Sequence, residues 1–340
     1  NGKMKQKLLE ILLSEISVSG EETALQDKLE RHMKETVEEV KCERDRIGDG
    51  MYTVEGKSGK KILLSAHIDE IGLMVTGADA DGFLKVTNVG GIKALAYPGH
   101  SVKIQTENGM VYGSVAADGK AMKSDGFGVK DLLVDIGVST KEEALCLVSP
   151  GDVVVPDTSI RELQNDRISA RGLDDRSGVY VIMEALKQAR EKKTPHTVCA
   201  AATVGEETSK HGARWVAERT SPDEAIIVDV TYTSDYPGMQ TAEWGEVKLG
   251  GGPAICINPI FDKKITRSLM DIAKEQGIPY QPEVSAGKSC TDADEIHFAG
   301  SGIPTALVSI PLRYMHSPSE VADAKDLEWC IELLAEYLSR

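Results

Sequence analysis

Seven side chains that can bind a metal ion or carry a proton are spread through this sequence. They are two histidines and five carboxylates, namely His67, Asp69, Asp174, Glu206, Glu207, Asp229 and His316. Imidazole and carboxylate groups bind Zn²⁺, Co²⁺ or Mn²⁺ without a thiolate ligand. The residue types therefore predict a site for two divalent metal ions, provided that the fold brings these distant positions together.

Four short apolar segments lead to most of these residues. The segments are KILLSA (61–66), TVCAAATV (197–204), AIIVDV (225–230) and TALVSI (305–310). Continuous apolar runs of this length indicate strands buried on both faces, and helical patterns between them favour an α/β sheet with many parallel strands. Ligands bind beyond the carboxyl ends of such strands. We therefore expect the four strand ends to deliver their polar residues to one pocket.

Asp174 has a different setting, because it lies in the glycine-flanked turn GLDDRSG before an amphipathic helical pattern. A helix N-terminus favours a carboxylate. Two cations about 3.5–4 Å apart need a carboxylate that bridges them, and Asp174 is the candidate. The further ligands would be His67 and Asp229 for one metal, and Glu207 and His316 for the other.

The two remaining carboxylates are expected to be catalytic residues. A carboxylate beside a metal-bound water can act as general base and then as general acid, which is the role predicted for Glu206. Asp69 lies two residues after His67. A carboxylate that is hydrogen-bonded to a ligand imidazole fixes its tautomer and raises its basicity. These residues alone predict a two-metal hydrolase and leave its substrate open.

Between about residues 71 and 165 the pattern changes from apolar runs to alternation. FLKVTNV, SVKIQTE and MVYGSVA alternate apolar with polar residues, and Asp-Gly and Asn-Gly turns occur at 81–82 and 108–109. Such a pattern is typical of antiparallel strands. We predict that residues 71–165 form a small inserted β domain without predicted ligands. Residues 1–70 and 166–340 would form the catalytic domain.

Eight segments, in order along nearly the whole chain, carry a resemblance to a known family. They are SAHIDEIGLMV (65–75), DLLVDIGVSTKEEA (131–144), GLDDRSG (172–178), GEE (205–207), VDVTYTSDYPG (228–238), GGGPAI (250–255), TDADEIH (291–297) and IPLRYMHSPSEV (310–321). In these segments the sequence resembles the cytosolic di-metal aminopeptidases that form hollow tetrahedral particles. That family includes glutamyl and deblocking aminopeptidases, and some members have been labelled endoglucanases.

The resemblance implies an α/β fold of the zinc-dependent exopeptidase type, in which helices flank a mixed, largely parallel sheet. It implies that the protein removes N-terminal amino acids from peptides with a free N-terminus. It assigns the ligand, base and histidine-supporting roles to the same seven residues, with Zn²⁺ or Co²⁺ as the expected metals and Mn²⁺ as a third candidate. It also implies that the inserted domain mediates dimerisation, and that dimers build dodecamers.

Two stretches depart from the family pattern. Polar residues occupy 208–211, where a Val-Gly-Leu-Arg run is common, and Ser289-Cys290 stands where Gly-Gly is usual. We expect these changes to affect substrate preference more than metal binding. His211 is expected to be a solvated loop histidine, and Cys290 a plain buried thiol.

Composition argues against several other classes of protein. A net charge of −15 without a basic patch argues against nucleic-acid binding. No apolar run approaches the roughly 18 residues of a membrane-spanning helix. The six cysteines show no metal-binding or disulfide-like spacing, so they are expected to be reduced thiols in a cytoplasmic protein.

Two alternatives stay open at the level of sequence. Another two-metal amide hydrolase, such as a dipeptidase, deacylase or carboxypeptidase, would use the same ligands. A carboxypeptidase needs an arginine for the substrate carboxylate, and Arg313, three residues before His316, is the candidate considered for this role. A glycosidase is disfavoured because it uses two carboxylic groups and no metal pair. The second alternative is a non-catalytic homologue, and the retention of Glu206 speaks against it.

Overall fold

The computed structural model describes residues 2–239 and 245–340. The strands are β1 (Lys41–Arg44), β2 (Gly50–Val54), β3 (Lys61–His67), β4 (Gly72–Ala78), β5 (Leu84–Val89), β6 (Ser101–Thr106), β7 (Gly109–Ala117), β8 (Leu132–Asp135), β9 (Val153–Pro156), β10 (Arg161–Glu162), β11 (Arg167–Ala170), β12 (Thr197–Thr203), β13 (Glu224–Tyr232), β14 (Ala254–Ile257), β15 (Gln281–Val284), β16 (Thr305–Leu312) and β17 (Glu320–Asp323). The α-helices are α1 (Gly2–Ser14), α2 (Thr23–Thr36), α3 (Lys141–Leu147), α4 (Leu173–Glu191), α5 (His211–Thr220), α6 (Lys263–Gln276), α7 (Ala293–Ile296) and α8 (Ala324–Leu338).

The main sheet has eight strands in the order β1-β2-β12-β3-β13-β16-β14-β15. Its four central strands, from β12 to β16, are all parallel, and β14 is parallel to β15. The pairs β1–β2, β2–β12 and β14–β16 are antiparallel. The prediction of a mixed, largely parallel sheet is therefore confirmed.

The four apolar segments of the sequence form the four central strands. Their carboxyl ends lie at the same edge, with His67 at the end of β3 opposite Thr203 at the end of β12. Asp229 differs from the expectation, since it lies inside β13 and does not end it. The strand continues to Tyr232 because it stays paired with β16 as far as Leu312.

Helices cover both faces of this sheet, because neighbouring strand residues point to opposite sides. On β3, Ile62 and Leu64 pack in one cluster with side chains of α1, α2, α4, α6 and α8. Leu63, between them, packs in a second cluster with α5 and α7. Each fully buried side chain of this kind stabilises the fold by about 1.5–3 kcal/mol. Helices packed on both faces thus stabilise the sheet that carries the site.

An antiparallel barrel interrupts the chain between β3 and β10. It is closed, with the strand order β4-β5-β8-β7-β6-β9, and the pattern of alternation predicted its strands β5, β6 and β7. The barrel has a core of its own that includes Leu73, Val75, Val102, Ile104 and Val134. The prediction of an inserted antiparallel β unit is confirmed. Its exact bounds and its role in assembly stay predictions.

A small antiparallel sheet, β10-β11-β17, joins the segment after the barrel to the C-terminal part of the chain. In this sheet Ala170 on β11 is paired with Glu320 on β17. Strand β11 leads into α4, and β17 follows the loop after β16. The pairing therefore brings the start of α4 close to that loop.

Two further features concern the chain as a whole. All six cysteines are free thiols. Within residues 2–239 and 245–340, the helices are too short or too polar to span a bilayer.

Candidate functional site

The predicted site residues come together at the carboxyl ends of the central strands. Five of them line one cavity of about 250 Å³, namely Asp174, Glu206, Glu207, Asp229 and His316. His67 and Asp69 adjoin this cavity and are 1% and 0% exposed. All seven positions therefore belong to one cluster, although 249 positions separate the first from the last.

Asp174 lies between the two imidazoles of the cluster. Its Oδ1 atom is 3.1 Å from Nε2 of His67, and its Oδ2 atom is 3.0 Å from Nε2 of His316. Burial alone would raise the pKa of Asp174, yet the two histidines hold it below its ordinary value. The carboxylate of Asp174 thus directs one oxygen toward each of the two histidines, which is the arrangement expected of a ligand that bridges two metal ions.

Each imidazole also has carboxylates of its own. Nε2 of His67 is 3.7 Å from Oδ1 of Asp229 and 3.4 Å from Oε2 of Glu206. Nε2 of His316 is 3.4 Å from Oε1 of Glu207. The cluster therefore has two halves that share Asp174, one around each histidine.

The charges of this cluster fit a pair of cations. Burial raises the pKa of Glu206 to about 10, helped by repulsion from Asp229, and raises that of Glu207 to about 7. Burial also raises the pKa of Asp229. Four carboxylates share this buried region with two imidazoles, and a divalent cation relieves their repulsion better than a proton does. Oxygen and nitrogen donors of this kind suit Zn²⁺, Co²⁺ and Mn²⁺.

The carboxylate of Asp69 supports the two glutamates. Its Oδ1 accepts the backbone N–H of Glu206 at 3.0 Å, and its Oδ2 accepts that of Glu207 at 3.2 Å. The hydroxyl of Ser19 also donates to Oδ2. Nδ1 of His67 lies 2.9 Å from the backbone oxygen of Asp69 and 3.3 Å from its Oδ1. Asp69 therefore contacts the imidazole through both main chain and side chain, and it fixes the turn that carries the glutamate pair.

Glu320 is a site residue that sequence reasoning missed. It is 2% exposed, and its Oε1 and Oε2 accept the backbone N–H groups of Asp174 at 3.2 Å and of His316 at 2.9 Å. One carboxylate thus joins the turn at the start of α4 to the loop after β16. The four-residue spacing between His316 and Glu320 was the available signal, but it does not reveal the contact with Asp174.

Asp175 is a second site residue that sequence reasoning missed. Its Oδ2 accepts the backbone N–H of His67 at 3.1 Å, and its Oδ1 is buried without a hydrogen-bond partner in the part of the chain that the structure describes. Asp175 lies near His67 and Asp229, so that donor atoms of the three residues are within 4.8 Å of one another. It therefore fixes the backbone beneath the site.

A buried ion-pair network lies next to the site. Oε2 of Glu70 is 3.0 Å from both Nε of Arg171 and Nη2 of Arg176. Burial alone would raise the pKa of Glu70, but the two guanidinium groups hold it below its ordinary value. Gly172 has a φ of +67°, and a Cβ there would lie 2.1 Å from Nη2 of Arg176. Glycine is therefore required where the chain enters α4.

The structure bears differently on the expectations for His211 and Cys290, which lie in the two segments that depart from the family pattern. His211 is an exposed residue at the start of α5, and its Nδ1 is hydrogen-bonded to Ser209. The expectation that Cys290 is a buried thiol was wrong, because it is exposed and lines the site cavity. Its backbone has a φ of +60°, and its N–H donates to Asp294 at 2.8 Å.

Arg313 forms an ion pair with Asp235 of the same chain. Its Nε and Nη2 donate to Oδ1 and Oδ2 of Asp235 at 3.0 and 2.8 Å. A bidentate pair of this geometry is strong and specific. Arg313 therefore does not provide the free guanidinium that a carboxypeptidase would need.

Comparison with known proteins identifies the family. The family model described as M42 glutamyl aminopeptidase matches residues 48–333. The chain belongs to this family. It is therefore a peptide-bond hydrolase of the aminopeptidase type, and peptidases of the family depend on metal ions.

Individual relatives of this M42 family member match over almost its whole length. A lysyl aminopeptidase of Pyrococcus furiosus is 32% identical, and the match covers 98% of this chain and 96% of the relative. The crystal structure of a TET aminopeptidase from a marine-sediment Thaumarchaeota archaeon has a TM-score of 0.92 at 29% identity, with 100% and 97% covered. The TET1 peptidase of Pyrococcus horikoshii, which can assemble into a tetrahedron or a large octahedral shell, has a TM-score of 0.85 at 31% identity, with 98% and 99% covered.

Proposed function

We propose that this protein is a two-metal aminopeptidase that removes the first residue from peptides with a free N-terminus. The position of Asp174 carries the proposal. Its two oxygens lie 3.1 and 3.0 Å from the Nε2 atoms of two different histidines, His67 and His316. A carboxylate held in this way is suited to bridge two metal ions.

The ligands divide between the two halves of the cluster. Asp174 would be shared, His67 and Asp229 would complete one half, and Glu207 and His316 the other. Zn²⁺ or Co²⁺ are the metals we expect, and Mn²⁺ also suits these donors. When bound, such ions polarise the scissile carbonyl and make a nearby water easier to deprotonate.

Glu206 would move the proton. It lines the cavity, and its Oε2 lies 3.4 Å from Nε2 of His67. It takes a proton from the water as the water oxygen bonds to the scissile carbonyl carbon. It then gives this proton to the leaving nitrogen as the carbon–nitrogen bond breaks. Asp69 would keep Glu206 in position, because it binds the backbone N–H of that residue.

We further propose a homo-oligomer in which dimers build dodecamers. Residues 71–165 would serve assembly, and residues 1–70 and 166–340 would form the catalytic domain. The barrel contributes no side chain to the clustered site. Two of its apolar side chains on β7, Met110 and Tyr112, are 43% and 62% exposed. The assembly of the Pyrococcus horikoshii relative supports this proposal.

The compartment proposed for the protein is the cytoplasm. Six free thiols, three of them buried, suit a reducing environment. Measuring the distribution of the protein between cell fractions tests this.

Metal removal tests the proposed function. Dialysis against a chelator should abolish cleavage of peptides with a free N-terminus, and added Zn²⁺ or Co²⁺ should restore it. N-acetylated versions of the same peptides are the control, since an aminopeptidase needs the free amine. Equal activity on both sets of peptides, or full activity without metal, would refute the proposal.

A further inference from the structure

The site cavity extends beyond the clustered ligands along strand β13. Asp229 and Thr231 of that strand both line it, and Glu283 lies in its wall next to Thr231. Side chains two residues apart on a strand face the same side, at a spacing of about 6.7 Å. The cavity therefore has a metal-ligand end at Asp229 and a second polar end at Thr231 and Glu283.

Glu283 is a carboxylate without a cationic partner. It lies on the edge strand β15, where it alternates with the exposed Val284 and points inward. Its Oε2 accepts a hydrogen bond from Oγ1 of Thr231 at 2.5 Å. Among residues 2–239 and 245–340, no lysine, arginine or histidine forms an ion pair with it. Burial raises its pKa.

Two other carboxylates of the protein, by comparison, have arginine partners. Glu70 binds Arg171 and Arg176, and Asp235 binds Arg313. A half-buried carboxylate in an open cavity, by contrast, is available to a cation that enters from outside.

The distance suits the side chain of a substrate residue. An extended lysine carries its ammonium roughly 6 Å from its Cα atom, about the spacing between Asp229 and Thr231. The lining of the cavity also includes Leu307 and Met315, which are 2% and 8% exposed. Apolar groups of this kind suit the methylene stem of a long basic side chain.

We propose that Glu283 determines substrate specificity by binding the basic side chain of an N-terminal lysine or arginine. This inference rests on the proposed function, which puts the scissile carbonyl at the ligand end of the cavity. Thr231 would orient the carboxylate through its hydrogen bond. An acidic first residue should be a poor substrate, because its carboxylate would lie against that of Glu283 in a partly desolvated cavity.

Kinetics on matched substrates test the inference. Lysyl, norleucyl and glutamyl p-nitroanilides differ in charge, and norleucine has the lysine stem without the ammonium. We expect the metal-loaded protein to prefer lysyl over norleucyl by about tenfold or more in kcat/KM, with glutamyl the poorest. Glu283→Gln, which keeps the shape of the side chain, should remove most of this preference by slowing lysyl hydrolysis. Norleucyl hydrolysis should change by less than about threefold.

Two further variants make the result specific. Glu283→Asp keeps the charge and should keep part of the preference for lysine. Glu332→Gln makes the same substitution at an exposed position on α8 and should change neither rate. Circular dichroism and thermal unfolding establish that each variant is folded. A lysyl-to-norleucyl ratio that Glu283→Gln leaves unchanged would overturn the inference.

Measurements of ligand binding distinguish a failure of this inference from a failure of the proposed function. Titration calorimetry with lysine amide and norleucine amide measures the affinity of the cavity for each side chain and does not require turnover. Loss of the preference for lysine amide in Glu283→Gln supports the inference even if no substrate is cleaved. Absence of cleavage of every aminoacyl substrate would refute the proposed function instead. Equal binding of both amides to the unmodified protein would overturn the inference alone.

Discussion

The side chain of Glu320 accepts a hydrogen bond from the backbone N–H of His316 at 2.9 Å. Strand β17, which begins at Glu320, therefore holds the loop that carries the predicted metal ligand His316. The second oxygen of the same carboxylate accepts the N–H of Asp174. A glutamine at this position has one acceptor and one donor, so it cannot serve both N–H groups.

We therefore expect Glu320→Gln to loosen two ligands at once. Metal affinity or kcat/KM should fall by about 10- to 100-fold, the usual effect of losing a group that orients ligands. Metal analysis beside steady-state kinetics checks this, with Glu332→Gln as the control. Full metal occupancy with unchanged kinetics would show that Glu320 has no such role.

The two adjacent glutamates should respond differently to the same substitution. Glu206→Gln should keep both metals and lose roughly 10²–10⁴ in kcat, because a positioned general base is removed. KM should change little. Glu207→Gln replaces an anionic ligand with a neutral amide, so metal content itself should fall. If Glu206→Gln loses metal while Glu207→Gln stays loaded and inactive, the roles are reversed.

The Glu70 network should make stability depend on acid pH. The pKa of Glu70 in the folded protein lies below its ordinary value. Its ionised form therefore stabilises the fold above the ordinary pKa of 4.5, and this contribution is lost as pH falls through the folded pKa. Glu70→Gln leaves two buried guanidinium groups without their partner and should cost about 3–5 kcal/mol at pH 7.

Urea unfolding from pH 7 to pH 3, followed by tryptophan fluorescence, measures this effect. The difference in free energy of unfolding between the protein and Glu70→Gln should shrink below pH 4.5. A difference that is constant over this range would refute the assignment. Glu332→Gln should unfold like the unmodified protein throughout.

The exposed apolar side chains of β7 are expected to lie in an interface between subunits. Light scattering should give a mass well above the 36.7 kDa of one chain. Tyr112→Asp should lower this mass, because a charge cannot be buried without a partner in an interface. Thr87→Asp, on an exposed position of the same barrel, is the control. A fully active monomer in the unmodified protein would remove the assembly role of the barrel.

The sequence was informative where local pattern and chemistry coincide. Buried runs predicted the four central strands, and alternation with tight turns predicted strands of the barrel. His67 could be predicted to lie at a strand end because its apolar run stops there. Barrel closure was not predictable, because it depends on which strands pair.

Contacts between distant segments account for what was missed. Glu320 and Asp174 are 146 positions apart, and Glu283 and Thr231 are 52 apart. Each pair consists of ordinary polar residues whose partner is fixed only by strand order and register. The length of β13 beyond Asp229 has the same origin, because pairing with β16 extends it.

The order of the ligands along the chain has a consequence for biosynthesis. His316 and Glu320 follow Asp174 by 142 and 146 positions, and both come after the central strand β16. A ribosome-bound chain that has already exposed His67, Asp174 and Glu206 still lacks one half of the cluster. The cluster therefore cannot be complete in a nascent chain until β16 and the loop after it have been synthesised and have left the ribosome.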